Sequence, residues 1–207
     1  MLIISASNII PSQNNSKSLQ TAERIKRGLL EVKNISIEIA DLRDYYVSFC
    51  IMCEKCALTQ KCIQDEDFNL FFDIWNAHDD VILVVPHYAL IPSKLLCIFE
   101  KIQEMYYLNY CSGKQNNQHK NVLIIAHGGM TEKYEDVYMS NIIKPLKSII
   151  ESIGSTVIND MIKNQLCFGV KKYLDSRDPN SNCYAKLDDE EKENEVIKSV
   201  IEYFKKA

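Results

Sequence analysis

The chain has 207 residues, 46% of them hydrophobic and 25% charged, and a formal net charge of −4 at pH 7. That length suits one domain with a substantial core, expected over 1–207, and the acidic balance with scattered Lys and Arg argues against nucleic acid as a partner. Apolar runs such as Val81 to Pro86 are too short to cross a bilayer, and the N-terminus carries no signal-like segment. A protein of the reducing cytoplasm is expected, with no membrane partner and with thiols available for metal.

Leu2 to Ser5 is a short apolar segment suited to a buried strand that starts at once. A polar loop without glycine runs from Ser5 to Ser18 and enters a helical pattern over Leu19 to Val32, apolar at Leu19, Ala22, Ile25, Leu29 and Leu30. A strand, a hydroxyl-rich loop and a helix N-terminus together make an anion site, where backbone N–H groups, the helix dipole and Ser hydroxyls all favour phosphate. Capping of the helix by Ser16 or Ser18 alone is the competing reading.

Ile35 to Ile39 alternates as a strand, and Asp41 to Asp44 leads to the densest chemistry in the chain, Cys50-x2-Cys53-x2-Cys56-x5-Cys62, at the centre of a cysteine-rich loop over about 45–65. Four thiolates in so short a window can close around a compact inorganic centre, and three cysteines at successive three-residue steps suit a [4Fe–4S] cluster. Zinc prefers two separated C-x2-C pairs, and an empty thiol site is the third reading. The two-cluster ferredoxin pattern fits less well, since Ile63 rather than proline follows the last cysteine.

Glu66 to Ala77 follows as a helix whose Phe68, Phe71, Phe72 and Trp75 form an apolar stripe read as core. Asp80 to Val85 is a continuous apolar run, the mark of a central parallel strand. It ends in Pro86-His87-Tyr88-Ala89-Leu90-Ile91-Pro92 before a helix from Ser93 to about Leu108. A loop at the carboxyl end of a central strand is where open α/β sheets place ligands, and Tyr88 with Ala89, Leu90 and Ile91 could flank a flat ring, although Tyr88 by itself reads better as an ordinary half-buried loop tyrosine. Cys111 to Lys120 reads as an exposed loop. Asn121 to Ala126 is another buried strand, followed by His127-Gly128-Gly129, where glycines admit close backbone approach; His127 is either a ligand donor or a satisfied loop residue. Val137 to Ile153 is an amphipathic helix stopped by Gly154, and Ser155 to Asn159 supplies a fifth strand. Between Met161 and Tyr184 only a turn at Asp178-Pro179-Asn180 is assigned. Asp188 to Lys206, acidic at its start and basic at its end, suits a terminal helix. Cys97, Cys111, Cys167 and Cys183 read as small hydrophobes.

Strands alternating with helices imply a doubly wound five-stranded parallel sheet of the flavodoxin kind, with ligand loops at the carboxyl ends of the first, third and fourth strands. One phosphate loop, one aromatic-apolar loop and one Gly-Gly loop suit FMN. Over roughly Met1 to Gly154 the chain resembles the NAD(P)H-dependent FMN reductase superfamily and, more narrowly, the iron–sulfur flavoproteins of anaerobic bacteria and archaea. The resemblance rests on Ser5-Ala6-Ser7-Asn8 and Ser16-Lys17-Ser18 as phosphate loop, Pro86-His87-Tyr88 with Pro92-Ser93-Lys94-Leu95 as second loop, His127-Gly128-Gly129 as third, and the cysteine run. Ala6 and Asn8-Ile9 replace the usual Gly and Pro-Arg, which removes one cationic phosphate contact, and the cysteine loop lacks the glycines often found between its ligands. The resemblance implies electron transfer between a [4Fe–4S] cluster on Cys50, Cys53, Cys56 and Cys62 and FMN, with ferredoxin as donor, small oxidants as acceptors, and a homodimer or homotetramer. A plain NAD(P)H-dependent FMN or quinone reductase is the alternative, and a non-enzymatic redox or metal sensor is the reading from another class.

Overall fold

A computed structural model describes residues 1–8, 16–88, 90–114, 119–129, 134–170 and 190–206. Ala89, Cys183, the turn at 178–180 and the middle of the first loop lie outside the described residues. The strands are β1 (Leu2–Ser5), β2 (Glu38–Asp41), β3 (Asp80–Pro86), β4 (Asn121–Gly128), β5 (Thr156–Val157) and β6 (Cys167–Gly169). The helices are α1 (Lys17–Val32), α2 (Cys56–Thr59), α3 (Glu66–Asn76), α4 (Ser93–Cys111), α5 (Tyr134–Tyr138), α6 (Lys144–Ser152) and α7 (Glu190–Lys206). Every strand pairing is parallel, in the order β2-β1-β3-β4-β5, with β6 also on β4. This is the flavodoxin-like order, whose switch point lies between β1 and β3.

Alternation along the central strands builds two cores. Val81, Leu83 and Val85 of β3 and Val122, Ile124 and Ala126 of β4 face α3, α4 and α6, whereas Ile82, Val84, Leu123 and Ile125 face α1 and α7. Because both faces are covered, these strands read as unbroken apolar runs. Gly28 of α1 faces Ile201 of α7, whose side-chain end would have to shift to admit a Cβ there.

Three elements depart from the expectation. The second strand runs over Glu38–Asp41 rather than from Ile35, because its register follows β1, Leu2↔Glu38 to Ser5↔Asp41. The fifth strand is split: β5 pairs with β4 only over Thr156–Val157, and β6 resumes the ladder at Ala126↔Cys167. Between them the Asn159 side chain stands in for a peptide group, donating to Ile124 O at 2.7 Å and accepting from Ile124 N at 2.8 Å. The helix expected from Val137 begins earlier as α5 and passes through a π turn at Met139–Ile143 before α6. Gly154 ends it with φ 82°.

Candidate functional site

The carboxyl ends of β1, β3 and β4 bring distant segments into contact. Ser7 Oγ lies 3.3 Å from Tyr88 Oη, and Asn8 N–H donates to the same oxygen at 3.1 Å. His87 N–H donates to His127 O at 2.6 Å, continuing the β3–β4 pairing in which Pro86 faces His127. Ser18 Oγ and His127 Nε2 are 2.8 Å apart and buried. Ser16 caps α1, its hydroxyl accepting from Leu19 N at 3.2 Å; the capping reading therefore holds for Ser16, while Ser18 turns its hydroxyl to His127 instead. Ser5 is buried and donates to Asp41 Oδ1 at 3.4 Å. Gly128 admits no side chain, since a Cβ would lie 2.8 Å from Tyr138 Oη and 3.0 Å from His87 Cβ. Gly129 follows, half-buried, while Tyr88 and Leu90 are exposed and Ile91 leans on the core.

The electrostatics suit an anion. Ser7, Ser16 and Ser18 are buried hydroxyls at the positive end of α1. Burial, with Lys17 adding to it, lowers the His127 pKa to about 3, so the ring is neutral. Its Nδ1 finds no partner among the described residues. Lys17 Nζ is held at 2.6 Å by Glu193, a buried carboxylate that also takes Arg24 at 2.8 Å and the Thr21 hydroxyl at 2.8 Å. The site therefore offers hydroxyls and helix N–H groups rather than a free cation, which fits a phosphate held by directional donors. Buried serine hydroxyls and a buried His127 nitrogen with no partner among the described residues are consistent with a phosphorylated group such as FMN.

The cysteine run forms a second region. Cys50, Cys53, Cys56 and Cys62 are free and line one cavity together with Lys101 and Glu104. Three non-glycine residues take left-handed backbone, Met52 at φ 52°, Glu54 at φ 57° and Gln60 at φ 56°, at roughly 1 kcal/mol each. They do the work of the missing glycines. Polar tethers hold the loop: Asn69 accepts from Cys62 N at 2.7 Å and donates to Cys62 O at 2.8 Å, and Lys114 donates to Ala57 O at 3.3 Å. Asp65 accepts from Ser48 N at 2.8 Å, pairs with the buried Lys101 ammonium, and caps α3 through Phe68 N at 2.8 Å. Burial alone would push the Asp65 carboxyl up, but Lys101 and the donors from Phe68 and Ser48 outweigh it and hold it below the ordinary carboxylate range. Lys101 Nζ also lies 3.9 Å from Cys62 Sγ. Burial raises the Cys56 thiol, with Glu104, Cys53 and Cys50 adding to the effect.

Among the described residues no three His, Cys, Asp or Glu side chains converge as ligands for a metal ion. The four thiols share a cavity but do not form the ligand set that a [4Fe–4S] cluster or zinc requires. The spacing-based expectation of a cluster is thus not supported by side-chain geometry. Lys101 escaped the sequence reading, although its place three residues after Ile98 and four before Met105 on the buried face of α4 marks a charge that needs a partner. Asn141, whose Nδ2 lies 3.4 Å from His87 Nε2, was also missed, because a π turn leaves no sequence mark.

No family model matches the chain, and no curated protein matches it. Solved structures do. An NADH:FMN oxidoreductase in its apo form aligns with TM-score 0.58 at 14% identity, over 99% of this chain and 87% of the other. An NAD(P)H:quinone oxidoreductase from Methanothermobacter marburgensis gives 0.57 at 14%, over 99% and 93%. An FMN-dependent NADH-azoreductase from Bacillus anthracis, in complex with FMN, gives 0.56 at 17%, over 98% and 96%. The fold is flavodoxin-like. Among the described residues no helix is long and apolar enough to cross a membrane.

Proposed function

We propose that the chain binds FMN at the carboxyl edge of its sheet and works as a flavin oxidoreductase, passing electrons from NAD(P)H to a small acceptor such as a quinone or azo compound. The contact of Ser7 with Tyr88 and of Ser18 with His127 carries the assignment, since it joins the three ligand loops into one site. Neighbours named as an NADH:FMN oxidoreductase, an NAD(P)H:quinone oxidoreductase and an FMN-dependent NADH-azoreductase support it. Bound FMN would supply a centre that takes a hydride and returns electrons to the acceptor. The residues that would hold it divide by chemistry. Ser7, Asn8, Ser16 and Ser18 would serve the phosphate end, while Ser5, whose hydroxyl donates to Asp41, would offer backbone only; Pro86, His87, Tyr88, Leu90 and Ile91 would flank the ring; His127, Gly128 and Gly129 would offer backbone from the third loop. No side chain is assigned as acid or base. Exposed Tyr46, Phe49, Met52 and Leu58 on the cysteine loop support a homodimer or homotetramer.

A second reading follows from the shared cavity of Cys50, Cys53, Cys56 and Cys62: a cluster-bearing electron carrier with ferredoxin as donor. Flavin, iron and acid-labile sulfide contents of anaerobically purified protein decide between them. About one FMN per chain, bleached by NAD(P)H alone, is expected. About four irons and four sulfides with bleaching only by reduced ferredoxin would establish the second reading. Protein that binds no flavin when FMN is supplied sinks both.

A further inference from the structure

We propose that His127 is a positioning residue for the FMN phosphate: through Nε2 it directs the Ser18 hydroxyl hydrogen outward from the end of α1, towards the phosphate oxygens. The inference rests on the flavin assignment above and concerns how the phosphate is read.

A serine hydroxyl carries one hydrogen and two lone pairs, so it can serve an anion only when that hydrogen points at it. Ser16 has its oxygen committed to Leu19 N–H as the helix cap. Ser18, buried and two residues further on, has its oxygen 2.8 Å from His127 Nε2. The imidazole ring lies flat against Phe168, with centroids 5.3 Å apart and planes 15° from parallel, which fixes where Nε2 points. A neutral imidazole bears a single N–H. With the hydrogen on Nε2, His127 donates to Ser18 Oγ and the serine hydrogen is left for the phosphate. With it on Nδ1, Ser18 must donate back into the ring and is lost to the anion. One observation favours the first arrangement. Nδ1 is buried without a partner among the described residues, and a stranded acceptor is better tolerated than a stranded N–H. Lys17, the nearest cation, is already paired with Glu193, so the phosphate depends on oriented neutral donors and the positive end of α1. Burial and the nearby Lys17 keep the ring neutral, which preserves the one-donor, one-acceptor character that the relay needs.

The test compares FMN with riboflavin, which lacks only the phosphate. Dissociation constants are measured by flavin-fluorescence titration for wild type, His127→Phe, His127→Gln, Ser18→Ala and the Phe/Ala double variant. Phe keeps the stack on Phe168 and removes the unpartnered nitrogen, so folding is retained, as a thermal melt verifies. His127→Phe, which leaves the Ser18 hydrogen present but undirected, raises the FMN constant about threefold, less than the roughly tenfold loss of a whole hydrogen bond to a charged group, and leaves riboflavin unchanged. His127→Gln, which keeps an N–H at the end of the side chain, recovers most of the loss. Ser18→Ala, which deletes the donor itself, raises it about tenfold, and the double variant adds nothing beyond Ser18→Ala, because both act through one hydroxyl. Equal weakening of both flavins by His127→Phe, no weakening of either, or additive losses in the double variant would each overturn the relay while leaving the flavin site in place. Wild type that binds riboflavin as tightly as FMN also overturns it. Wild type that binds neither flavin overturns the flavin assignment and the relay with it.

Discussion

The carboxyl edge of the sheet and the cysteine loop both gather chemistry-bearing residues, but they are positioned by different means. The edge takes its geometry from ladders: the β3–β4 register runs unbroken from Asp80↔Asn121 to Pro86↔His127, so His87, His127 and Gly128 are placed by the same hydrogen bonds that build the core. The cysteine loop, 45–65, pairs with no strand among the described residues. Its path depends on Asp65, Asn69, Lys101 and Lys114 and on three residues in left-handed backbone. A single substitution can therefore release the loop without disturbing the edge, whereas the edge yields only when sheet packing or its buried polar groups are perturbed.

Acid should break the edge before the loop. The His127 pKa is lowered to about 3 in the folded chain from 6.5, so below pH 6.5 the unfolded chain binds the extra proton and stability falls with pH until about pH 3. The slope is about 1.4 kcal/mol per pH unit, for a total near 5 kcal/mol across the window. Asp65, whose carboxyl lies below its ordinary 3.8, contributes stability that is present above that value and lost only as pH falls through its folded pKa. Urea unfolding between pH 6.5 and 4 should thus report His127, and His127→Phe should flatten that part of the profile. An unchanged slope in the variant would remove His127 from the account.

The reverse experiment strikes the loop. Asp65→Ala leaves the Lys101 ammonium, with only 4% of its side chain exposed, without its carboxylate. Breaking a buried pair from one side costs about 3–5 kcal/mol. Adding Lys101→Met should recover most of this by removing the stranded charge, and denaturant midpoints for the two variants measure both effects. FMN affinity of the folded double variant should stay at the wild-type value. A large fall in that affinity would show that the two regions are coupled and that the contrast between them fails.

What the sequence discloses differs between the regions for the same reason. Continuous apolar runs at Val81 to Val85 and Val122 to Ala126 mark strands covered on both faces, and the first strand and the start of α3 fall where periodicity places them. The loops that follow such strands are ligand loops by topology, so Tyr88 and Gly128 were legible as positions at the carboxyl edge of the sheet. The Ser18–His127 contact spans 109 residues and becomes visible only when β1 and β4 are set on either side of β3. Split β6 escaped notice because three residues carry no period, and Asn159 does the work of a strand with a side chain. Cysteine spacing discloses thiol chemistry but not the backbone path: Met52, Glu54 and Gln60 adopt a conformation for which glycine or asparagine is the usual signal, and the sequence offers neither there.

The finest test of the contrast is Asn69, which closes the cysteine loop onto α3 by accepting from Cys62 N at 2.7 Å and donating to Cys62 O at 2.8 Å. Asn69→Ala removes both bonds at a half-buried position, and water can replace part of what is lost, so a cost of about 1–2 kcal/mol is expected. The larger effect should be local. Cys62 is held in the cavity by these two bonds and by α3, and freeing its backbone exposes the thiol, so alkylation by iodoacetamide should accelerate at Cys62 while Cys167, buried in β6, remains protected. Mass-spectrometric mapping of the labelled peptides separates the two. Acceleration at both cysteines would mean that the loop and the sheet open as one unit, and the division between a ladder-built edge and a tether-built loop would then be wrong.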